Sequence, residues 1–357
     1  MKEELIDSYG RKIDYLRISI TDRCNLRCFY CMPANGIKLI GRNEILSYSE
    51  IIRTAKIFAN LGIKKIRITG GEPLVREGAD LFIGNFLKTV AGIDLAITTN
   101  GTYLDKHIDN FASAGLGGVN ISLDTLNKNQ YCKITHSNIF SPNDIINNIK
   151  KALKLGINDI KINSVLTGFD DAKDISDLIN LALSLQIDVK FIEVMPVSSL
   201  DGANIKEIER RKTNNLKDDC KSNSPKENFS INEKVLNILK SFGNVEKINE
   251  RKGFGPAVYY RAGNSKANIG VISNSVKHCE SCNRIRLTSD GKLKTCLYSN
   301  PILDIKKLLR IGSTDSEILK KIKDSIKSKP LNKWSGLSAE GNYNQAAIPE
   351  FMNKIGG

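Results

Sequence analysis

A partial, parallel-stranded α/β barrel of six strand–helix units, with a C-terminal extension, is the fold class that this 357-residue chain predicts. Two observations carry that expectation. Between residues 15 and 194, short strand-like runs alternate with stretches of helical period, the pattern of right-handed crossovers into a parallel sheet. Polar or glycine-rich residues stand directly after the strands, at Thr69-Gly70-Gly71-Glu72, Thr99-Asn100-Gly101, Leu123-Asp124 and Met195-Pro196. That is the carboxyl end of the sheet, where α/β folds gather their chemistry. Six units are too few to close a full barrel of eight.

The units follow in order. Residues 15–20 alternate as a strand and run straight into a cysteine loop. Residues 48–61 have helical period, with Ser49 as the expected cap. A strand over 63–69 is closed by Gly70-Gly71, and a helix over 81–90 follows. Next come a strand over 95–99, a helix over 104–114, and a strand over 118–123. A helix over 144–155, a strand over 160–166, a helix over 175–185 and a strand over 189–194 complete the set.

Residues 198–230 turn polar and charged and read as a mobile loop or a boundary. The expected division is therefore a barrel over 1–230 and a second region over 231–357. The latter reads as a helix over 231–242, short strands and turns over 250–300, and helices over 302–309 and 316–328. Its end, Gly356-Gly357, is thin enough to enter a crowded cavity, although a frayed terminus has the same composition.

Hydrophobic residues at 41% support a globular chain, and the formal net charge of +14 suits an anionic ligand or a nucleic acid. Solvated lysine-rich faces give the same total. No apolar run approaches the roughly 20 residues of a membrane span, and the N-terminal residues lack the apolar core of a signal peptide. A soluble, cytoplasmic protein is expected, which favours metal-binding over disulfide-bonded cysteines.

Six of the eight cysteines fall into two triads. Cys24, Cys28 and Cys31 share one loop; Cys279, Cys282 and Cys296 form a second set with a thirteen-residue gap. Cys132 and Cys220 stand alone and read as incidental thiols. Each triad lacks the fourth thiolate of a closed site. Three thiolates can hold three irons of a [4Fe–4S] cluster and leave the fourth iron open to a small molecule. A zinc ion completed by a distant residue is the other reading. Tyr30 offers the first triad an aromatic cover, and Gly70-Gly71-Glu72-Pro73 is a clamp suited to an amino group. Arg284 and Arg286 alternate within the second motif, so both point one way on a strand and suit a phosphate. A solvated basic strand is the plainer alternative.

The loop Cys24-x3-Cys28-x-Tyr30-Cys31 with Gly70-Gly71-Glu72-Pro73 resembles the radical S-adenosylmethionine superfamily. Over nearly the whole chain, 'RITGGEPL', 'TTNG', 'ISLD', 'FIEVMP', 'GFGPA', 'CNRIRLTSDGKLKTCL' and the Gly-Gly end resemble the GTP 3',8-cyclase family of molybdenum cofactor biosynthesis. The resemblance implies a partial barrel of the radical-enzyme type, a lyase activity, and two [4Fe–4S] clusters on the two triads. S-adenosylmethionine would bind at the first cluster, where Gly71 and Glu72 meet its amino group and Tyr30, Thr98, Ser122 and Met195 line it. GTP would bind at the second cluster, with Arg17, Lys65, Arg67, Lys161, Lys190, Arg284 and Arg286 as its basic lining. Arg17, Gly356 and Gly357 would support catalysis, the tail reaching the active site. A 5'-deoxyadenosyl radical would take hydrogen from C3' of the ribose, and C3' would then join C8 of guanine. An external electron donor is implied, and the product would pass to cyclic pyranopterin monophosphate synthase. A homodimer is compatible with the sequence. One departure stands out: the family commonly has Arg where this chain has Lys190, which keeps charge but loses the bidentate fork.

Two rivals differ in kind. A radical enzyme acting on peptides would use more cysteines near the C-terminus than the three found here. A nucleic-acid-binding protein with zinc knuckles would need different cysteine spacing, and aromatics at 6% are sparse for stacking on bases. Neither nucleic acid nor membrane is an expected partner. No Gly-x4-Gly-Lys-Ser/Thr loop occurs, so a nucleotide here is a substrate and not a hydrolysed fuel.

Overall fold

The computed structural model describes residues 3–167, 172–195, 231–249, 255–274, 277–332 and 352–355. The expected loop over 198–230, Pro196, Cys220, Gly356 and Gly357 lie outside the described residues. The six expected units are present. Strands β1 (Tyr15–Ser19), β2 (Lys65–Thr69), β3 (Asp94–Thr99), β4 (Gly118–Ser122), β5 (Ile160–Leu166) and β6 (Asp188–Glu193) lie side by side. Each neighbouring pair is parallel.

Helices α1 (Tyr48–Asn60), α2 (Ala79–Thr89), α3 (Leu104–Ala114), α5 (Pro142–Lys154) and α6 (Ala172–Leu185) form the crossovers. Helix α4 (Lys128–Thr135) is an element that the sequence reading missed. Its polar sequence carries little apolar period, and the side chain of Asn127 starts it by accepting from the Asn129 and Gln130 amides. The cap of α1 is Ser47 rather than Ser49. Its hydroxyl accepts from the Glu50 amide while Glu50 reaches back to the Ser47 amide, closing a capping box. Ser49 is already inside the helix.

Every second strand residue faces the helices. Leu16, Ile18, Ile66, Ile68, Ile97, Val119, Ile121, Ile162, Val189 and Phe191 are buried there against Phe58, Phe86, Phe111, Ile149 and Leu178. Each such side chain contributes roughly 1.5–3 kcal/mol on leaving water. The intervening residues face the other way, and they are strikingly different in kind: Arg17, Lys65, Arg67, Thr98, Asn120, Ser122, Lys161, Asn163 and Lys190. The sheet is thus dry outside and polar within.

The C-terminal half extends this sheet at both edges. It supplies α7 (Ile231–Lys240), β7 (Val245–Ile248), β8 (Val258–Ala262), β9 (Ile269–Ile272), the short α8 (Lys277–Glu280), β10 (Arg284–Leu287) and β11 (Lys292–Lys294). Beyond these come β12 (Leu303–Asp304), α9 (Ile305–Arg310), α10 (Asp315–Ile326) and α11 (Met352–Ile355). The helix expected over 302–309 is therefore shorter and is preceded by a strand, because Asp304 caps it through the Lys307 amide. Strand β10 pairs parallel with β1, and β9 pairs parallel with β6. Eight parallel strands result, in the order β10-β1-β2-β3-β4-β5-β6-β9, with antiparallel strands outside them. Among the described residues no pairing joins β9 to β10, yet Arg284 of β10 and Ile272 of β9 line one cavity. The sheet is curved into an open barrel.

Candidate active site

Two cavities lie inside the curve, one toward each end of the strands. The upper one, at the carboxyl ends, encloses about 1070 Å³ of empty space open to solvent. It is lined by Cys24, Cys28 and Cys31 together with Tyr30, Gly71, Glu72, Thr98, Ser122 and Met195. All nine of the residues expected around the first triad therefore meet in one place.

The cysteine loop is held there by main-chain bonds. The Cys31 and Met32 amides both donate to the Cys28 carbonyl (2.8 and 3.1 Å), which turns the chain tightly. Arg27 and Phe29 amides donate to the last carbonyls of α4, at Thr135 and Ile134. The Gly71 and Glu72 amides donate to the Thr21 and Arg23 carbonyls, each at 2.7 Å. A Cβ on Gly71 would sit 2.3 Å from the Arg23 carbonyl oxygen, so only glycine allows this approach. The glycine thus seats the two loops against each other, a role the clamp reading did not include.

Glu72 is buried, and its carboxylate accepts from Leu74 N and Thr99 Oγ1 on Oε1 and from Asn100 N on Oε2. Burial pushes its carboxyl up to about 7 despite those three donors. A carboxylate has about four acceptor sites, so Oε2 keeps room for one further cation. Tyr30 Oη donates to Asp124 Oδ2 at 2.7 Å, which fixes the ring beside the triad. Burial, together with neighbouring carboxylates and thiols, raises the thiols of Cys24 to about 11 and Cys31 to about 12, and Cys28 well above its ordinary value. Three such thiols in one apolar recess call for a positive centre that takes them as thiolates.

The lower cavity has about 660 Å³ of empty space and is lined by Arg17, Lys65, Arg67, Lys161, Lys190 and Arg284. Asn163 and Ile192 line both cavities, so the two are neighbours along the barrel. Lys65 and Lys161 are paired with Asp94 and Asp159. Arg67 Nε donates to Tyr15 Oη at 2.7 Å. Burial opposes ionisation of Tyr15, yet Arg67, Arg17 and Arg284 outweigh it and lower the phenol to about 8. Burial, with Arg67 and Lys161 adding to it, brings Lys190 down to about 7. Gly270 makes room here, since a Cβ on it would stand 3.0 Å from both Lys190 Cγ and Tyr259 Cε1. Arg286 is absent from this lining; its Nη1 donates to the Ile355 carbonyl at 3.1 Å.

Cys279 and Cys282 flank a turn closed by the Cys282 amide on the Cys279 carbonyl (3.1 Å), and Cys296 follows β11. Cys282 faces a recess shared with Gly255, Pro256, Ala257 and Arg284, which also line the lower cavity. Burial resists ionisation of Cys282, but Lys329 and Arg284 lower it to about 7. Among the described residues no three His, Cys, Asp or Glu side chains converge on a single metal ion.

Tyr15, Asn120, Asn163 and Lys329 were missed in the sequence, and Asp124 was noted only for its place after β4. The first three could have been found by following the inward alternation of β1, β4 and β5; nothing local marks Lys329.

Comparison with known proteins agrees with this geometry. A model of the radical SAM superfamily matches residues 18–182, and one of the molybdenum cofactor synthesis C family matches 203–334. A GTP 3',8-cyclase of Peptoclostridium acidaminophilum is 39% identical over 357 residues, covering 100% of this chain and 99% of that protein. One from Desulforamulus reducens is 38% identical over 328 residues, covering 91% and 94%. This chain belongs to the GTP 3',8-cyclase family of the radical SAM superfamily. The crystal structure of Streptococcus suis SuiB bound to S-adenosylmethionine matches with a TM-score of 0.54 at 14% identity, covering 87% of this chain and 68% of that one. That likeness is one of fold. Among the described residues, no helix is long and apolar enough to cross a membrane.

Proposed function

We propose that this chain is a GTP 3',8-cyclase, converting GTP to (8S)-3',8-cyclo-7,8-dihydroguanosine 5'-triphosphate as the first step of molybdenum cofactor biosynthesis. The observation that carries this reading is the pair of adjoining cavities, the upper one on the first cysteine triad and the lower one lined by the cations and sharing Gly255, Pro256, Ala257 and Arg284 with the recess that Cys282 faces. Cys24, Cys28 and Cys31 hold the first [4Fe–4S] cluster, and Cys279, Cys282 and Cys296 hold the second. When bound, the first cluster and S-adenosylmethionine supply a 5'-deoxyadenosyl radical.

The chain's own residues bind and orient. Glu72, whose Oε2 keeps an acceptor site free of the Asn100 amide, would take the ammonium group of the methionine moiety, with Gly71 beside it. Tyr30, Thr98, Ser122 and Met195 wall the remainder of that cofactor. Arg17, Lys65, Arg67, Lys161, Lys190 and Arg284 receive the triphosphate, where guanidinium forks and a low local dielectric favour it. Arg286 shares the inward face of β10 with Arg284 and holds the Ile355 carbonyl, which Gly356 and Gly357 follow in sequence. The nucleotide reacts with itself, so the largest service is to keep C3' and C8 close and water out. The last electron comes from an external donor, and the product passes to cyclic pyranopterin monophosphate synthase. The setting is the cytoplasm, and a homodimer is compatible with it.

The test is an anaerobic assay of the reconstituted protein with GTP, S-adenosylmethionine and dithionite, read by mass spectrometry. The expected result is 5'-deoxyadenosine together with a GTP-derived product of unchanged mass and altered retention. 5'-Deoxyadenosine without any change in GTP would refute the substrate assignment.

A further inference from the structure

Lys329 ends the turn after α10 and is buried, at 2% exposure. Its ammonium donates to the Arg284 carbonyl at 2.9 Å and the Thr295 carbonyl at 2.5 Å. The third contact is the Cys282 sulfur, at 3.6 Å. These three partners belong to the two stretches that carry the second triad: Cys282 and Arg284 on one side, and Thr295, next to Cys296, on the other. Among the described residues no carboxylate lies within ion-pair distance of this nitrogen. A buried ammonium bonded only to neutral carbonyls is costly. The one group here able to become anionic is the Cys282 sulfur, as a thiolate or as a cluster ligand.

We propose that Lys329 is a positioning residue that raises the reduction potential of the second cluster, by giving an N–H···S bond and a fixed positive charge to its Cys282 ligand. The inference rests on the reading above that the second triad holds a [4Fe–4S] cluster. The sign follows from charge. Reduction adds an electron to the cluster, and a cation held against a ligand sulfur favours the reduced form. The two carbonyl bonds fix the ammonium in place, so the interaction needs no rearrangement as the electron arrives. Among the described residues the hydrogen bonds to the first triad's sulfurs come from neutral donors, such as the Leu26 amide on Cys24 at 3.4 Å and the Asn100 amide group at 3.9 Å, and the nearby Arg27 guanidinium donates to the Cys24 carbonyl instead of its sulfur. The two clusters are thereby set apart, with the second the easier to reduce.

The experiment is an anaerobic redox titration of the holoenzyme followed by electron paramagnetic resonance, for the natural chain, Lys329→Gln and Lys329→Arg. Two one-electron components are expected. In Lys329→Gln one component falls by about 59 mV or more, a tenfold change in its reduction equilibrium, while the other stays. Lys329→Arg keeps the charge and retains most of the difference. Equal potentials in the natural chain and loaded Lys329→Gln would overturn the proposal and leave Lys329 as a strap between two strands. If Lys329→Gln fails to take up its second cluster, the natural chain grown with 15N-lysine decides the matter. A 15N coupling on the reduced second cluster supports the contact, and its absence overturns it. A chain that holds no second cluster at all refutes the cofactor reading instead, which iron content separates from either result.

Discussion

Lys190 offers the sharpest test of the lower cavity. Burial, with Arg67 and Lys161 nearby, brings its ammonium down to about 7 in the empty chain. At pH 8 it is therefore about nine-tenths neutral. A triphosphate placed beside it restores the charged form, so binding above pH 7 draws in a proton. The sign follows directly: affinity is full below pH 7 and falls as pH rises through it. With the bound-state value returned to the ordinary range for lysine, the binding constant scales as the fraction already protonated. Between pH 6.5 and 8.5 that fraction falls about 25-fold. Lys190→Arg keeps its charge across this range and supplies a second donor for phosphate.

The assay is equilibrium binding of GTP to the reconstituted protein without S-adenosylmethionine, so that no turnover occurs. Calorimetry in two buffers of different ionisation heat counts the protons taken up. Titration of the γ-phosphate is common to both proteins and cancels in the ratio of natural chain to Lys190→Arg. That ratio should change by about 25-fold over the two pH units, with close to one proton taken up at pH 8 by the natural chain and none by the variant. Parallel pH profiles for the two proteins would refute the reasoning, because Lys190 would then either stay charged or lie away from the phosphates.

Three further outcomes follow from other parts of the molecule. Gly71→Ala places a methyl 2.3 Å from the Arg23 carbonyl oxygen and must part the two loops at a cost of about 1–3 kcal/mol; iron analysis should show the first cluster lost and the second kept, and full iron content would count against that packing role. Glu72, raised to about 7 from an ordinary 4.5, binds a proton in the folded chain that the unfolded chain has released; the cofactor-free protein should therefore lose stability as pH rises from 4.5 to 7, a slope absent from the melting temperatures of Glu72→Gln if the carboxyl is its source. Ser47→Ala removes the capping box of α1 and should destabilise the fold by about 1 kcal/mol, whereas Ser49→Ala should be nearly silent in the same thermal melts.

Much of this was written in local pattern. The six units, the cysteine loop and the residues around it lie close to strand ends; Arg17, Lys65 and Arg67 came from the family resemblance, and the alternation of 'YLRIS' and 'KIRIT' accounts for their sharing one face. What stayed hidden depends on distant contacts. Helix α4 is specified by Asn127 and by the carbonyls it lends to the cysteine loop, not by apolar period. Arg286 shares a strand with Arg284, so spacing placed them together; the bond from Arg286 Nη1 to the Ile355 carbonyl comes into view only with the docking of α11. Lys329 lies 47 positions from Cys282 in sequence, and no pattern joins them.

The pairing of β10 with β1 explains why the C-terminal half cannot be thought of merely as an added cluster carrier. Tyr15 stands opposite both Lys65 and Arg284, and Arg17 opposite both Arg67 and Arg286. The register therefore lays cations from three neighbouring strands in rows across one surface. On the other side, Lys190 stands opposite Gly270 of β9, which leaves it the space it needs. Without β9 and β10 the same sheet would keep the upper cavity's cysteine loop, Glu72 and Thr98. It would lose the wall that carries Arg284, and it would expose β1 and β6 as unpaired edges ready to join other chains. The two cavities thus share the inward faces of the same strands, and they meet at Asn163 of β5 and Ile192 of β6.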